Sequence, residues 1–116
     1  VIQLPENHLI GELYNISRKE VLDSPVLMEK LLRDLAEMIG EEILAIHVHE
    51  FEPYGVSAFL LLKEGYVALH TWPEHIYAAA NVVNYSDEKW CWDTFNKLAS
   101  LLSPSSQTAI IVKTGI

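Results

Sequence analysis

The groups in this 116-residue chain that could do chemistry are five histidines, one cysteine and a scatter of hydroxyls and carboxylates. His47 and His49 stand two apart, so on a strand both rings leave the same face. With His70 or His75 they could supply imidazole nitrogens to a metal ion. Ser57, inside an apolar run, reads as a strand serine making a surface or turn hydrogen bond. His70, just before Trp72-Pro73, reads as a histidine tying a turn to the backbone. Glu74 follows Pro73 as a loop or helix-start acid, and Phe51 by composition is a core aromatic. Cys91 falls on the apolar stripe of a helix, where a thiol is most often packing, and Trp90 and Trp92 beside it read as packing or interface residues. The chain contains no glycine-rich phosphate loop and no nucleophile elbow.

These groups must be positioned by elements of two periods. His8 to Ile16 reads as a strand. Ser24 can cap a helix whose first position is Pro25. Leu27, Leu31, Leu35 and Met38 then follow at helical spacing as its apolar stripe, opposite Glu29, Lys30, Arg33, Asp34 and Glu37, with Gly40 as the C-cap. Ile43 to Pro53 and Val56 to Leu62 read as strands. Lys63-Glu64-Gly65-Tyr66 reads as a turn in which Gly65 can take positive φ, and Val67 to Thr71 is the return strand, broken by Trp72-Pro73-Glu74. Ile76 to Tyr85 is a further strand. Ser86 starts a second helix with the stripe Cys91, Phe95, Leu98 and Leu102, stopped by Pro104, and Thr108 to Thr114 closes the chain as a strand. The order strand, helix, four strands, helix, strand, with hairpin-length connections, predicts an α+β sandwich: a mainly antiparallel sheet with two helices on one face. The bare opposite face predicts a two-fold homodimer or a heterodimer.

Half the residues are hydrophobic and about a fifth charged, the composition of a folded globular chain. Its length suggests one domain over residues 1–116. No apolar run approaches the ~20 residues of a membrane span, and no secretory signal pattern is visible. The single cysteine excludes an intrachain disulfide and fits a reducing, cytoplasmic setting. A net charge of −8 repels nucleic-acid phosphate and favours cationic small molecules.

Four stretches resemble one family: His8-Leu9-Ile10-Gly11-Glu12-Leu13-Tyr14; His49-Glu50-Phe51-Glu52-Pro53-Tyr54-Gly55-Val56-Ser57; His70-Thr71-Trp72-Pro73-Glu74 with Tyr77-Ala78-Ala79; and the helix around Trp90. In order and over nearly the whole chain, they are similar to the short, prokaryotic S-adenosylmethionine decarboxylases. The resemblance implies an α/β sandwich, a dimer and a proenzyme that cuts itself at a Glu-Ser bond. The serine becomes a pyruvoyl group, whose ketone forms a Schiff base with the substrate amine and withdraws the electrons released with carbon dioxide. A cysteine then returns a proton. Ser57 and His70 match the residues that assist self-cleavage, Glu74 the acid that holds the ribose hydroxyls, and Phe51 the aromatic that stacks on adenine. His49 matches a motif histidine without an assigned role. Because the motifs account for His49 and His70, no metal is expected.

At three positions the chain departs from that pattern. The Glu-Ser site falls at Glu64-Gly65, and Gly65 has neither a hydroxyl to form the ester nor the carbon that would become the pyruvoyl methyl. No hydroxyl or thiol at Lys63, Val67 or Ala68 offers a shifted register, and the phenol of Tyr66 is too long and rigid. The proton-donating cysteine falls at Tyr85, and a family aspartate at Asn81. The sequence therefore predicts a homologue without a pyruvoyl group and without another cofactor. It would bind an S-adenosylmethionine-like molecule or regulate spermidine synthesis as a homodimer, or as a heterodimer with an active paralogue. The other readings are an active decarboxylase, an enzyme using His70 and Tyr85 for acid–base work in the same pocket, and a purely structural partner.

Overall fold

The computed structural model describes residues 5–85 and 87–115. Its elements are β1 (Glu6–Tyr14), a 3-10 turn (Lys19–Asp23), α1 (Pro25–Ile39), β2 (Ile43–Glu50), β3 (Val56–Leu62), β4 (Gly65–Trp72), a second 3-10 turn (Pro73–His75), β5 (Tyr77–Asn84), α2 (Glu88–Leu102) and β6 (Ser106–Thr114). The strands form one antiparallel sheet in the order β2-β3-β4-β5-β1-β6.

Strand alternation sorts the sheet into two faces. Leu9 and Leu13 of β1, Val67 and Leu69 of β4, and Ala78, Ala80 and Val82 of β5 are buried and join one cluster with Met28, Leu31, Leu32 and Leu35 of α1 and Cys91, Phe95, Leu98 and Leu102 of α2. Both helices therefore lie on one face, the expected α+β sandwich. Each fully buried Leu or Phe contributes about 1.5–3 kcal/mol relative to exposure. The other face carries His8, Ile10 and Glu12 of β1, Ser57 and Phe59 of β3, and Ala68, His70 and Trp72 of β4, and among the described residues no helix covers it.

Ser24 caps α1 by accepting from the Leu27 amide at 3.1 Å, and Gly40 closes the helix in the left-handed region at φ 81°. The stripe differs from the sequence expectation. Leu31 and Leu35 are buried, but Leu27 and Met38 are exposed at the rim, and Met28, Leu32 and Ala36 take the inward positions. The seam turned to the sheet is thus centred on Leu32 and is wider than a strict i, i+4 line. Asp87 is the N-cap of α2, accepting from the Lys89 amide; the expected cap, Ser86, lies outside the described residues.

Several strand boundaries also differ: β1 runs Glu6–Tyr14 rather than from His8 to Ile16, β4 opens at Gly65 inside the expected turn, β5 ends at Asn84 rather than Tyr85, and β6 starts at Ser106 rather than Thr108. β2 ends at Glu50 because the chain turns at once: the Phe51 amide donates to the Gly55 carbonyl at 2.9 Å. β4 continues through Trp72, which pairs with Tyr77, so the break falls at Pro73, which lacks an amide hydrogen. β5 starts at Tyr77 because Ile76 takes a left-handed conformation.

Gly65 is a glycine for a different reason from the expected one. It is not among the residues of positive φ; it opens β4 opposite Asn84. A Cβ there would overlap the Val83 carbonyl oxygen and stand 3.0 Å from the carbonyl carbon and 3.1 Å from the Asn84 Cα. The requirement is close backbone approach, not turn handedness.

Candidate functional site

The sequence from Phe51 to Gly55 leaves the sheet as a short turn that three interactions hold. Gly55, at φ 96°, donates its amide to Asp23 Oδ1 at 2.7 Å. Thr71 accepts from the Val56 amide at 2.9 Å and donates to the Leu22 carbonyl at 2.6 Å. The 3-10 turn before α1, the 51–55 turn and the end of β4 are thereby fixed to one another. No side chain could replace hydrogen at Gly55 without strain, since a Cβ would lie 2.8 Å from the Thr71 carbonyl oxygen.

On the helix-free face this arrangement places His49, Ser57 and His70 in one cross-strand row. Ser57 Oγ and His70 Nδ1 are 2.7 Å apart; with the ring proton on Nε2, the serine hydroxyl donates to Nδ1. The Phe51 ring meets His49 edge-on at 4.6 Å between centroids. Phe51, Ser57, His70 and Glu74 then line a single cavity of about 350 Å³, together with Tyr54 and Trp72. Its size falls within the range of small-molecule sites. Its lining combines the aromatic rings of Phe51, Tyr54 and Trp72 with the Glu74 carboxylate.

The sequence reading did not assign Tyr54 or Trp72 to the site. Trp72 was legible in principle, since it alternates with His70 and so shares its face. Tyr54 lies in an irregular turn with no period to read. A second, open hollow of about 490 Å³ adjoins the first across Trp72, lined by Tyr14, His75 and Tyr77. Tyr77 stacks at 5.4 Å from both Tyr14 and Trp72, and Tyr14 donates its hydroxyl to Glu12. Burial, and then the Glu12 carboxylate, raise the Tyr77 phenol above its ordinary value.

The remaining candidates, Glu64, Gly65 and Tyr85, lie at the opposite end of the sheet. Gly65 precedes His70 by five strand residues, about 16 Å at a strand's ~3.3 Å rise. The turn they belong to is pinned. The Glu64 amide donates to Glu41 Oε1 at 3.2 Å, its carbonyl accepts from Asn84 Nδ2 at 2.7 Å, and Trp90 Nε1 donates to Glu41 Oε2 at 2.6 Å. Tyr85 acts on Tyr66, whose phenol is raised by burial first and by Tyr85 second. Within one chain, then, the structure brings Phe51, Ser57, His70 and Glu74 together and leaves Glu64, Gly65 and Tyr85 apart from them.

Cys91 reaches neither cluster. It is buried under α2, its Sγ 3.6 Å from the Asn7 carbonyl, and burial pushes its thiol up to about 11. Among the described residues no three His, Cys, Asp or Glu side chains converge as a metal set. His47 sits opposite Phe59, one row away from His49. None of the described helices is long and apolar enough to cross a membrane.

Residues 7–115 match the family model described as S-adenosylmethionine decarboxylase. The chain is 35% identical over 109 residues to an S-adenosylmethionine decarboxylase proenzyme of Thermoanaerobacter sp. strain X514, covering 94% of this chain and 87% of that one. It is 36% identical, over the same shares, to the proenzyme of Caldicellulosiruptor saccharolyticus. Among solved structures, the adenosylmethionine decarboxylase of Aquifex aeolicus superposes with a TM-score of 0.85 at 22% identity, over 98% of this chain and 93% of that one. The monomeric Trypanosoma brucei AdoMetDC-delta26 gives 0.66 at 19% identity, over 90% of this chain and 45% of the longer one. At these identities the two structures support the fold.

Proposed function

The chain belongs to the S-adenosylmethionine decarboxylase family, and from that membership we propose that it is a nucleoside-binding homologue linked to polyamine synthesis that neither cuts itself nor forms a pyruvoyl group. The observation that carries the reading is the contrast between the two ends of the sheet. At one end Phe51, Ser57, His70 and Glu74 share a cavity. At the other, Gly65 stands where the resemblance requires serine.

A pyruvoyl group does not fit the residues at that end. Gly65 supplies no hydroxyl, and its backbone has no room for the Cβ that the group is built from. The carbonyl that a serine would attack, that of Glu64, is instead held by Asn84. The Ser57–His70 pair remains as part of the cavity wall, with Glu74 for ribose hydroxyls and Phe51 for the base.

The helix-free face supports a second part of the proposal, a homodimer or a heterodimer with an active paralogue. Ile10, Phe59 and Trp72 are exposed there around the small Ala68 and Ala79. A second sheet packed face to face would bury them.

The test is titration calorimetry with S-adenosylmethionine and with methylthioadenosine. Saturable binding of at least one is expected, weakened about tenfold or more in Phe51→Ala and Glu74→Gln, a loss of ~1.4 kcal/mol or more. Absence of binding to both would remove the nucleoside reading.

A further inference from the structure

β6 is an open edge built unlike the other edge of the sheet. β2, at the far side, is interrupted by a register shift between Ile43 and Ala45 and ends on Glu50, two devices that discourage further pairing. β6 has neither. It pairs with β1 along nine consecutive positions, from Glu6 opposite Thr114 to Tyr14 opposite Ser106, without a shift. Among the described residues its other side has no neighbouring strand. Its sequence contains no proline and one charge, Lys113, although the whole chain carries −8. Ala109, Ile110, Ile111 and Val112 form an uncharged β-prone run. Ile110 is 61% exposed on the helix-free face and Val112 41%, while Ile111 on the other face is partly buried against the core. Such a strand is a pairing template unless something covers it.

We infer that β6 pairs antiparallel with β6 of a second copy, in a two-fold register centred on Ile110, joining two six-stranded sheets edge to edge. The register follows from overlap and charge. Centred on Ile110, all nine residues pair: Ile110 faces Ile110, Thr108 faces Val112, and Gln107 faces Lys113. Gln107 already donates its amide to Asn96 at 3.4 Å, which leaves its carbonyl oxygen to accept from the partner's Lys113. Glu88, 3.7 Å from Lys113 within the same chain, balances that charge at the seam. A two-fold register centred on Lys113 would oppose like charges and leave most of the strand unpaired. The isologous contact closes on itself. It uses the strand edge, so it is compatible with the face-to-face pairing proposed above; together the two contacts assemble four chains.

Site-directed cross-linking in the intact chain tests the register. Directly opposed antiparallel residues have Cα atoms about 4.5–5.5 Å apart, within disulfide reach. Under a mild thiol oxidant, Ile110→Cys should convert to a covalent dimer. Gln107→Cys and Lys113→Cys should each stay single alone and cross-link when mixed. The wild-type chain, whose one cysteine is buried, should not cross-link. In the unmodified chain, β6 amides should exchange hydrogen more slowly as protein concentration rises. The inference is overturned if folded Ile110→Cys keeps a free thiol, if Ile110→Cys cross-links but the mixed pair does not, or if β6 exchange is independent of concentration.

Discussion

Gly65 concentrates the account at the scale of a single residue. In the proposed reading its missing hydroxyl leaves no group to begin self-cleavage, and its close approach to the Val83 carbonyl leaves no room for a side chain. Putting the serine back should therefore fail twice. Gly65→Ser is expected to lower stability by about 1–3 kcal/mol, the range for overpacking, and to remain uncut. Thermal melts and denaturing electrophoresis read the two effects; a Gly65→Ser chain of unchanged stability that splits in two would contradict the packing argument. Cys91 offers a pH test. Its thiol rises from the ordinary 9.0 to about 11 mainly by burial, so the fold favours its neutral form. That contribution is complete below pH ~9 and is lost as pH rises toward 11. Wild type should lose stability across this window, and Cys91→Ala should lose measurably less; equal losses would show that the thiol is not the titrating group.

At the scale of elements, the sequence disclosed which segments are strands and helices because period and caps are local signals. Ser24-Pro25 and Gly40 bound α1 as read. Less legible were features set by tertiary packing. The rotation of α1 onto Met28 and Leu32 depends on where the sheet lies, and the reason for Gly65 depends on β5, some twenty residues on. The site shows the same division. His70, Ser57, Phe51 and Glu74 were marked by their motifs, whereas Tyr54 enters through a turn, and that turn is held by Asp23, thirty-two residues away. Asp23→Ala would leave the Gly55 amide without this acceptor, at a cost of about 1 kcal/mol or more. It should also weaken nucleoside binding several-fold, because Phe51 and Tyr54 ride on the turn. If Asp23→Ala binds as wild type does, the clamp has no part in shaping the cavity.

At the scale of the molecule, the two helices leave a sheet face of mixed aromatic, aliphatic and polar residues that no described helix covers. Ala68, near the middle of that face, is small enough for a second sheet to approach. Ala68→Glu should dissociate the face-to-face contact about tenfold or more by sedimentation velocity while leaving the β6 cross-link intact; an unchanged assembly would place the dimer elsewhere. We propose that this decarboxylase-family fold keeps its cavity but does not make its own carbonyl cofactor. Intact mass of the purified, long-incubated chain under denaturing conditions tests it most directly. One species near 13.1 kDa is expected. Two fragments split after Glu64, the second with a ketone-reactive end, would contradict it.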